Sequence, residues 1–263
     1  MEKFNFKKKY GQNFINNNKI INNIIDNSNI FDDTLIIEIG PGAGSLTSAL
    51  KQFNQPIIAF EIDQETEKFL NKLEDENTKI IYEDFLSSNI IKHLSNYDYR
   101  NISIIANLPY YITTPIVEKI ISLNLPINEI IIMVQKEVGE RFSAKPGNKE
   151  YGSVTAYLQY YFDINILFMV DRKNFKPMPN VDSCVIKLKP RNKKITLLNE
   201  EHFFKLIKDS FKFKRKTLKN NLSNSYDFEL IKKVLQENNM PDNVRAENIS
   251  VELFAKISNI LVK

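Results

Sequence analysis

Asn107-Leu108-Pro109-Tyr110 follows a strand-like run, Ile102 to Ala106, and joins a side-chain amide, a proline and an aromatic ring within four positions. The amide oxygen of Asn107 and the carbonyl of Leu108 can both accept from an exocyclic –NH2 group, Pro109 fixes the chain direction, and Tyr110 offers a flat face for stacking. Such a corner suits the N6 amine of adenine. Asparagine and proline also form ordinary strand-end turns, so the tetrapeptide gains chemical meaning only from what accompanies it. Upstream, Leu35-Ile36-Ile37-Glu38-Ile39 runs into Gly40-Pro41-Gly42-Ala43-Gly44 and then into Ser45-Leu46-Thr47-Ser48-Ala49-Leu50. Strand, glycine turn and helix in that order make a cradle for a nucleotide-like cofactor, because glycines let the backbone approach a ligand and the helix start supplies free N–H groups.

Three ligands compete for such a turn. A dinucleotide fingerprint requires a third glycine where this chain has Ser45, and a phosphate loop requires a Gly-Lys-Ser/Thr ending that is absent. S-adenosylmethionine, which carries no phosphate, remains. The next strand-like run, Ile57 to Phe60, ends in Glu61-Ile62-Asp63, placing a carboxylate about 20 residues beyond the glycines, where it can accept from both ribose hydroxyls. Ile62 is then expected against the cofactor's adenine ring. A third run, Lys79 to Tyr82, leads to Glu83-Asp84-Phe85-Leu86; Asp84 can accept from the adenine amine, and the Phe85 N–H can donate to the ring.

The chemistry explains why these residue types suffice. An adenine N6 lone pair is delocalised into the ring and is a weak nucleophile, whereas a sulfonium methyl is strongly electrophilic. Two acceptors on the amine can aim its lone pair and stabilise the positive charge that develops on nitrogen, so positioning replaces a general base. The two histidines, His93 and His202, lie outside every motif and are expected at the surface.

Gln12-Asn13-Phe14, Glu38 to Thr47, Asp84-Phe85-Leu86, Asn107 to Tyr110, and Phe175-Lys176-Pro177-Met178-Pro179-Asn180-Val181-Asp182-Ser183 occur in this order. Together they resemble the ribosomal-RNA adenine N6,N6-dimethyltransferase family, from about Lys8 to the C-terminus, and most of all its bacterial branch. The resemblance implies dimethylation of two adjacent adenosines in a hairpin loop near the 3′ end of small-subunit (16S) ribosomal RNA, with S-adenosylmethionine as cofactor and the small ribosomal subunit as partner. It assigns Gln12 and Asn13 to the methionine side of the cofactor, and Gly40, Gly42 and Gly44 to the loop beneath it. Glu61 holds the ribose, Asp84 and Phe85 read the adenine, Asn107, Leu108 and Tyr110 receive the target base, and Phe175 closes its other face. One departure is the segment after Phe14, where the family usually has an aspartate and this chain has Asn16, Asn17 and Asn18.

Three other readings compete. The macrolide-resistance methylases of large-subunit rRNA typically have Ile in place of Leu108 and lack the Phe-x-Pro-x-Pro-x-Val-Asp-Ser form. DNA adenine methyltransferases usually begin the tetrapeptide Asp-Pro-Pro or Asn-Pro-Pro, and Leu108 counts against them. A non-enzymatic RNA-binding or assembly factor on the same fold would not need Gly40, Glu61, Asp84 and Asn107 intact. Reaching N6 in structured RNA requires base extrusion, which costs a few kcal/mol and is cheaper in a loop.

The elements that must position these groups follow the hydrophobic runs. Strands are expected at 35–39, 57–61, 79–82, 102–106 and 129–134 with helices between them, which implies a parallel sheet. Runs at 164–170 and 184–188 complete seven, and the resemblance suggests an antiparallel last strand. The fold expected is α/β, a Rossmann-like class I S-adenosylmethionine-dependent methyltransferase domain over 1–190, with a small helical RNA-binding domain over 191–263. Helices are read at 200–222, 227–238 and 249–261. Between the fifth strand and the Phe175 motif, Ser143 to Lys149 is polar and proline-interrupted, so a mobile loop is expected there.

Charge points to the RNA face. From Lys187 to Asn220 twelve Lys or Arg stand against three acidic residues, a net of +9 where the whole chain carries +4. Lys205, Lys208, Lys212, Lys216 and Lys219 follow one helical face while Phe204, Ile207, Phe211, Leu218 and Leu222 form another, and with Arg215 the lysines are expected to bind phosphates. No 18-residue apolar run suggests a membrane span. Met1 to Lys9 lacks the apolar core of a secretory signal. The single Cys184 allows no internal disulfide and no cysteine-rich zinc site. A cytoplasmic monomer without metal is expected.

Overall fold

A computed structural model describes residues 13–15, 17–192 and 195–263. The apolar runs form one sheet of seven strands: β1 (Thr34–Ile39), β2 (Ile57–Phe60), β3 (Thr78–Ile81), β4 (Asn101–Asn107), β5 (Ile127–Gln135), β6 (Phe162–Val170) and β7 (Ser183–Pro190). Their spatial order is β3-β2-β1-β4-β5-β7-β6. The first five are parallel, and β7 runs antiparallel to β5, with Ile132 opposite Ile186. Helix α1 (Asn18–Asp26) precedes β1, and α2 (Ser45–Leu50), α3 (Glu67–Leu70), α4 (Ile90–Leu94) and α5 (Thr113–Ser122) connect the parallel strands in turn, with α6 (Lys136–Phe142) following β5. Leu35, Ile36, Ile37, Ile130, Ile131 and Ile132 are almost wholly buried, which is why these strands read as unbroken apolar stretches rather than as alternating ones. β1 has β2 on one side and β4 on the other, so the direction of winding reverses there. A crevice opens beyond the carboxyl ends at such a switch point. Gly40 follows β1 and Asn107 ends β4.

The chain divides into two compact units, one taking residues up to Gly139 together with Asn165–Pro190, the other Glu140–Ile164 together with Arg191–Lys263. The helical unit therefore includes 140–164, which the boundary expected at residue 190 assigned to the sheet domain. Its core is built by α7 (Ser153–Tyr161), α8 (Glu200–Ser210), α9 (Leu218–Leu222), α10 (Phe228–Glu237) and α11 (Val251–Leu261). Phe203, Leu206 and Ile207 of α8, Ile231, Val234 and Leu235 of α10, and Phe254 of α11 pack together there. The starts of α8, α10 and α11 are each marked by a side-chain cap: Asn199 accepts from the His202 N–H, Asp227 from Glu229, and Ser250 from Leu253.

Three expectations differ from the structure. The helix read over 200–222 is interrupted: α8 ends at Ser210, because Asn221 Nδ2 donates to the Ser210 carbonyl at 2.7 Å, and Thr217 opens α9 by capping the Asn220 N–H. The segment 143–149 is held down, with the Gly147 N–H on the Glu247 carbonyl at 2.8 Å and Ala144 buried. Both histidines are half-buried rather than surface residues: His93 packs edge-on against Phe60 and meets Glu83 at 3.2 Å, while His202 Nδ1 lies 2.8 Å from Ser258 Oγ.

Candidate active site

The cleft beyond β1 and β4 is lined by Asn13, Gly40, Gly42, Glu61, Ile62, Asp84, Phe85, Asn107, Leu108 and Tyr110. All ten are site residues on the sequence reading, and the fold brings them into one open cleft. Gln12 lies outside the described residues.

The glycine turn is built for close approach. Gly42 has φ +58, and a Cβ there would fall 2.5 Å from a ring carbon of Phe14, so both conformation and space demand glycine. Its N–H donates to Glu61 Oε2 at 2.9 Å, while Glu61 Oε1 accepts from the Asp63 N–H at 2.8 Å. These bonds lock the carboxylate in one rotamer and leave a further lone pair on each oxygen. Burial pushes the Glu61 carboxyl above the ordinary carboxylate range, and the backbone donors only partly oppose it. Gly44 serves differently from its expected place beneath the cofactor. It caps α2 at φ +82, and a Cβ there would meet Leu73 at 2.4 Å; it is not among the cleft residues.

On the far wall, Asp84 Oδ1 accepts from the Leu86 N–H at 2.9 Å and orders the loop that presents Phe85, which packs edge-on against Phe60 at 5.4 Å. Lys119 fixes that loop from below, donating to the carbonyls of Leu86 and Ser88 at 2.7 and 2.9 Å. Nothing in the sequence singles out Lys119, because its partners lie some thirty residues away. Ile62 is 46% exposed, an apolar surface offered to the cleft.

At the Asn107 corner, Nδ2 donates to the Asn13 carbonyl at 2.9 Å. The amide is thereby oriented, and Oδ1 is the atom left to accept. The Tyr110 hydroxyl is 2.8 Å from Ser183 Oγ, which fixes the ring, and burial raises the phenol's pKa above its usual value. Phe175 does not join them. It is 4% exposed, pairs with Ile15 in a two-residue strand and lies in the cluster of Ile20, Ile24, Val170 and Val185, so the expected second wall of the base site is a core residue instead. Tyr111, which is 60% exposed, also lines the cleft, as do Phe14, Phe60 and Phe85. Asn17, in the segment that departs from the family, caps α1 by accepting from the Lys19 N–H at 2.9 Å.

Glu38 belongs to the glycine motif, yet the sequence gives it no role. It is 1% exposed, its Oε2 has no hydrogen-bond partner, and it lines a smaller cavity with Gly40, Pro41, Ser45 and Asn107. Burial pushes its pKa up to about 8, opposed by the Thr47 hydroxyl and reinforced by the charge of Glu61. A folded pKa above the unfolded value of 4.5 means that the unfolded chain releases this proton first as pH rises. Folding stability then declines from that pH to about 8, by at most about 1.4 kcal/mol per unit. Glu38→Gln is expected to melt higher than the parent at neutral pH, with the gap closing in acid; parallel Tm profiles for the two proteins would contradict it.

The basic residues lie in the helical unit. Lys205 is engaged by Asp209 at 2.8 Å and by the Tyr226 hydroxyl at 3.3 Å. Because the helix stops at Ser210, Lys212, Arg215 and Lys216 sit on the turn that follows and Lys219 on α9, so Lys205 to Lys219 is not one continuous helical stripe. Among the described residues no group of His, Cys, Asp or Glu is placed to hold a metal ion, and no helix is long and apolar enough to cross a membrane.

The sheet order, with a glycine turn and the buried Glu61 carboxylate at its switch point, defines a Rossmann-like class I methyltransferase fold carrying a helical C-terminal unit. A family profile described as ribosomal RNA adenine dimethylase matches residues 3–263, and the chain belongs to that family. It is 41% identical over 270 residues to the Bacillus pumilus protein named ribosomal RNA small subunit methyltransferase A, covering 99% of this chain and 92% of that one. Among solved structures, a dimethyladenosine transferase from Plasmodium falciparum superposes with a TM-score of 0.75 at 24% identity, over 92% of this chain and 95% of the other. The 23S rRNA methyltransferase ErmE also gives 0.75, at 21% identity, over 95% and 100%. These two likenesses speak for the fold.

Proposed function

We propose that this chain uses S-adenosylmethionine to dimethylate N6 of two adjacent adenosines in the 3′-terminal hairpin loop of small-subunit ribosomal RNA, as a step of ribosome biogenesis in the cytoplasm. The observation that carries this reading is the meeting of the glycine turn, Glu61 and the Asn107 corner in one cleft. Membership of the dimethylase family and the name of the Bacillus relative support the substrate.

The residues present fit the cofactor. Glu61 is preorganised to accept from two hydroxyls, Ile62 and Phe85 give apolar surface beside Asp84 for an adenine, and the orphaned Oε2 of Glu38 awaits a cationic or donor group near the turn. S-adenosylmethionine, when bound, supplies an electrophilic methyl group on a sulfonium. Asn107 Oδ1 and the Leu108 carbonyl accept from the target amine, turning its lone pair and sharing the charge that builds on nitrogen. Leu108 itself is buried, with its N–H on the Met133 carbonyl, which ties this corner to β5. Tyr110, tethered to Ser183, supplies the stacking face that offsets base extrusion by about 1–3 kcal/mol. A monomethylated amine still carries one N–H for these acceptors, which permits a second transfer. The proton released needs no dedicated base, since the methylated amine is acidic while still cationic.

The deciding experiment incubates the protein with labelled S-adenosylmethionine and small ribosomal subunits lacking the modification, then maps the modified nucleosides. Two adjacent N6,N6-dimethyladenosines near the 3′ end are expected. Label in large-subunit RNA or DNA instead, or cofactor binding without transfer to any of them, would sink the reading.

A further inference from the structure

The turn between α8 and α9 carries an aromatic ring for which the methyl-transfer chemistry has no use. Phe213 is 55% exposed, while its neighbour Phe211 packs against Tyr151 and Phe254 at 6.2 and 6.1 Å. The exposure is not slackness, because the backbone of Phe213 is held on both sides. Asn221 Oδ1 accepts its N–H at 3.2 Å, Asn221 Nδ2 donates to the carbonyls of Ser210 and Phe213 at 2.7 and 3.3 Å, and the Lys216 N–H donates to the Phe213 carbonyl at 2.9 Å. A side chain eight residues ahead thus fixes the tip of the turn.

Lys212, Lys214, Arg215 and Lys216 flank Phe213 along the chain and are all exposed, and no acidic residue occurs between Asp209 and Asp227. Lys212 Nζ lies over the ring at 5.7 Å from its centroid, which occupies one face and leaves the other. An apolar protein partner would have to strip water from four cations to cover one phenylalanine. A polyanion that also carries flat rings meets both demands at once. We infer that Phe213 is a stacking platform for an unpaired RNA base, with the flanking phosphates taken by Lys212, Lys214, Arg215 and Lys216. This rests on the ribosomal RNA reading above and adds to it a pre-organised contact for an unpaired nucleotide on the helical unit. Stacking on aromatics tolerates any base, so the contact recognises single-strandedness rather than sequence.

The chain contains no tryptophan, so Phe213→Trp installs a unique fluorophore at the site. In the full-length protein its emission is expected to be quenched by the small-subunit 3′ hairpin and by oligoadenylate, and not by a fully paired RNA duplex. Phe213→Ala is expected to weaken binding of both unpaired probes about fivefold to a hundredfold, with the salt dependence unchanged because no phosphate contact is lost. The Lys212→Ala/Lys216→Ala double variant is expected to flatten the salt slope by about 0.7 per phosphate released. Phe213→Leu, which keeps an apolar side chain, should bind as poorly as the alanine variant. Wild-type affinity in Phe213→Ala, or unchanged emission of Phe213→Trp at saturating RNA, overturns the inference, as does quenching by anionic vesicles but not by RNA. Failure of methylation with quenching by oligoadenylate intact would count against the proposed reaction alone; normal methylation with wild-type affinity in Phe213→Ala would count against the platform alone.

Discussion

Asn107→Ala is expected to lower methyl transfer at saturating cofactor by about 10²–10³-fold, the loss typical when one preorganised charge-stabilising group is removed. The amide cannot act as a base, so its worth lies in direction. Nδ2 is committed to the Asn13 carbonyl at 2.9 Å, and on the proposed reading this bond is what aims Oδ1 at the target amine. Alanine removes both the acceptor and the bond that aims it. Because Asn13 also lines the cleft, loss of this bond will disturb cofactor affinity somewhat, by less than about tenfold for one neutral hydrogen bond. Asn107→Asp separates the two functions. It keeps an oxygen toward the amine but turns an acceptor onto the Asn13 carbonyl, so a rate between those of the parent and the alanine variant is expected. Single-turnover transfer and calorimetric cofactor affinity, measured on the same preparations, check this. Equal losses in rate and in cofactor affinity would show that Asn107 serves the cofactor and not the target amine.

Most of the cleft is legible in the amino-acid sequence because its parts are local. Buried parallel strands leave unbroken apolar runs, so Leu35 to Ile39 announces β1 and Ile102 to Ala106 announces β4, each to within a residue or two. Glycine and carboxylate then mark the strand ends where a ligand can approach. What stays hidden depends on contacts between distant residues. The spacing of Lys205 to Lys219 continues at helical period through 211–217, and it takes the Asn221 amide, folding back onto the Ser210 carbonyl, to stop the helix. Phe175 carries a motif's signature, yet a two-residue strand gives no period from which to tell its inward face, and its pairing with Ile15 sends the ring into the core. Lys119 and Glu38 escape notice for the same reason. A lysine among helical residues and a glutamate inside an apolar strand look unremarkable until their surroundings are known. The segment 140–164 belongs with the helical unit although sheet strands flank it in the chain, because spatial order there departs from chain order.

Glu61 should show the opposite kinetic signature to Asn107. Glu61→Ala is expected to raise the dissociation constant for S-adenosylmethionine by about 10²–10⁴-fold, since two hydrogen bonds to a charged acceptor at roughly 1.5–3 kcal/mol each disappear. Transfer measured at saturating cofactor should fall far less. Glutamine is not a mild replacement here. Both carboxylate oxygens accept buried backbone donors, Gly42 N–H at 2.9 Å and Asp63 N–H at 2.8 Å, so an amide must turn its own –NH2 toward one of them. Two donors then face each other in a site that is 4% exposed, and Glu61→Gln is expected to bind cofactor nearly as poorly as the alanine variant. The pH dependence follows from burial. Because desolvation raises the Glu61 carboxyl, it takes up a proton at a higher pH than an ordinary glutamate, and a protonated carboxyl offers fewer lone pairs to the ribose. Cofactor affinity of the parent should therefore weaken as pH falls through the mildly acidic range, while Glu61→Gln, with nothing to titrate there, should be flat. A glutamine variant that binds as the parent does at neutral pH and follows the same pH profile would remove Glu61 from the ribose site.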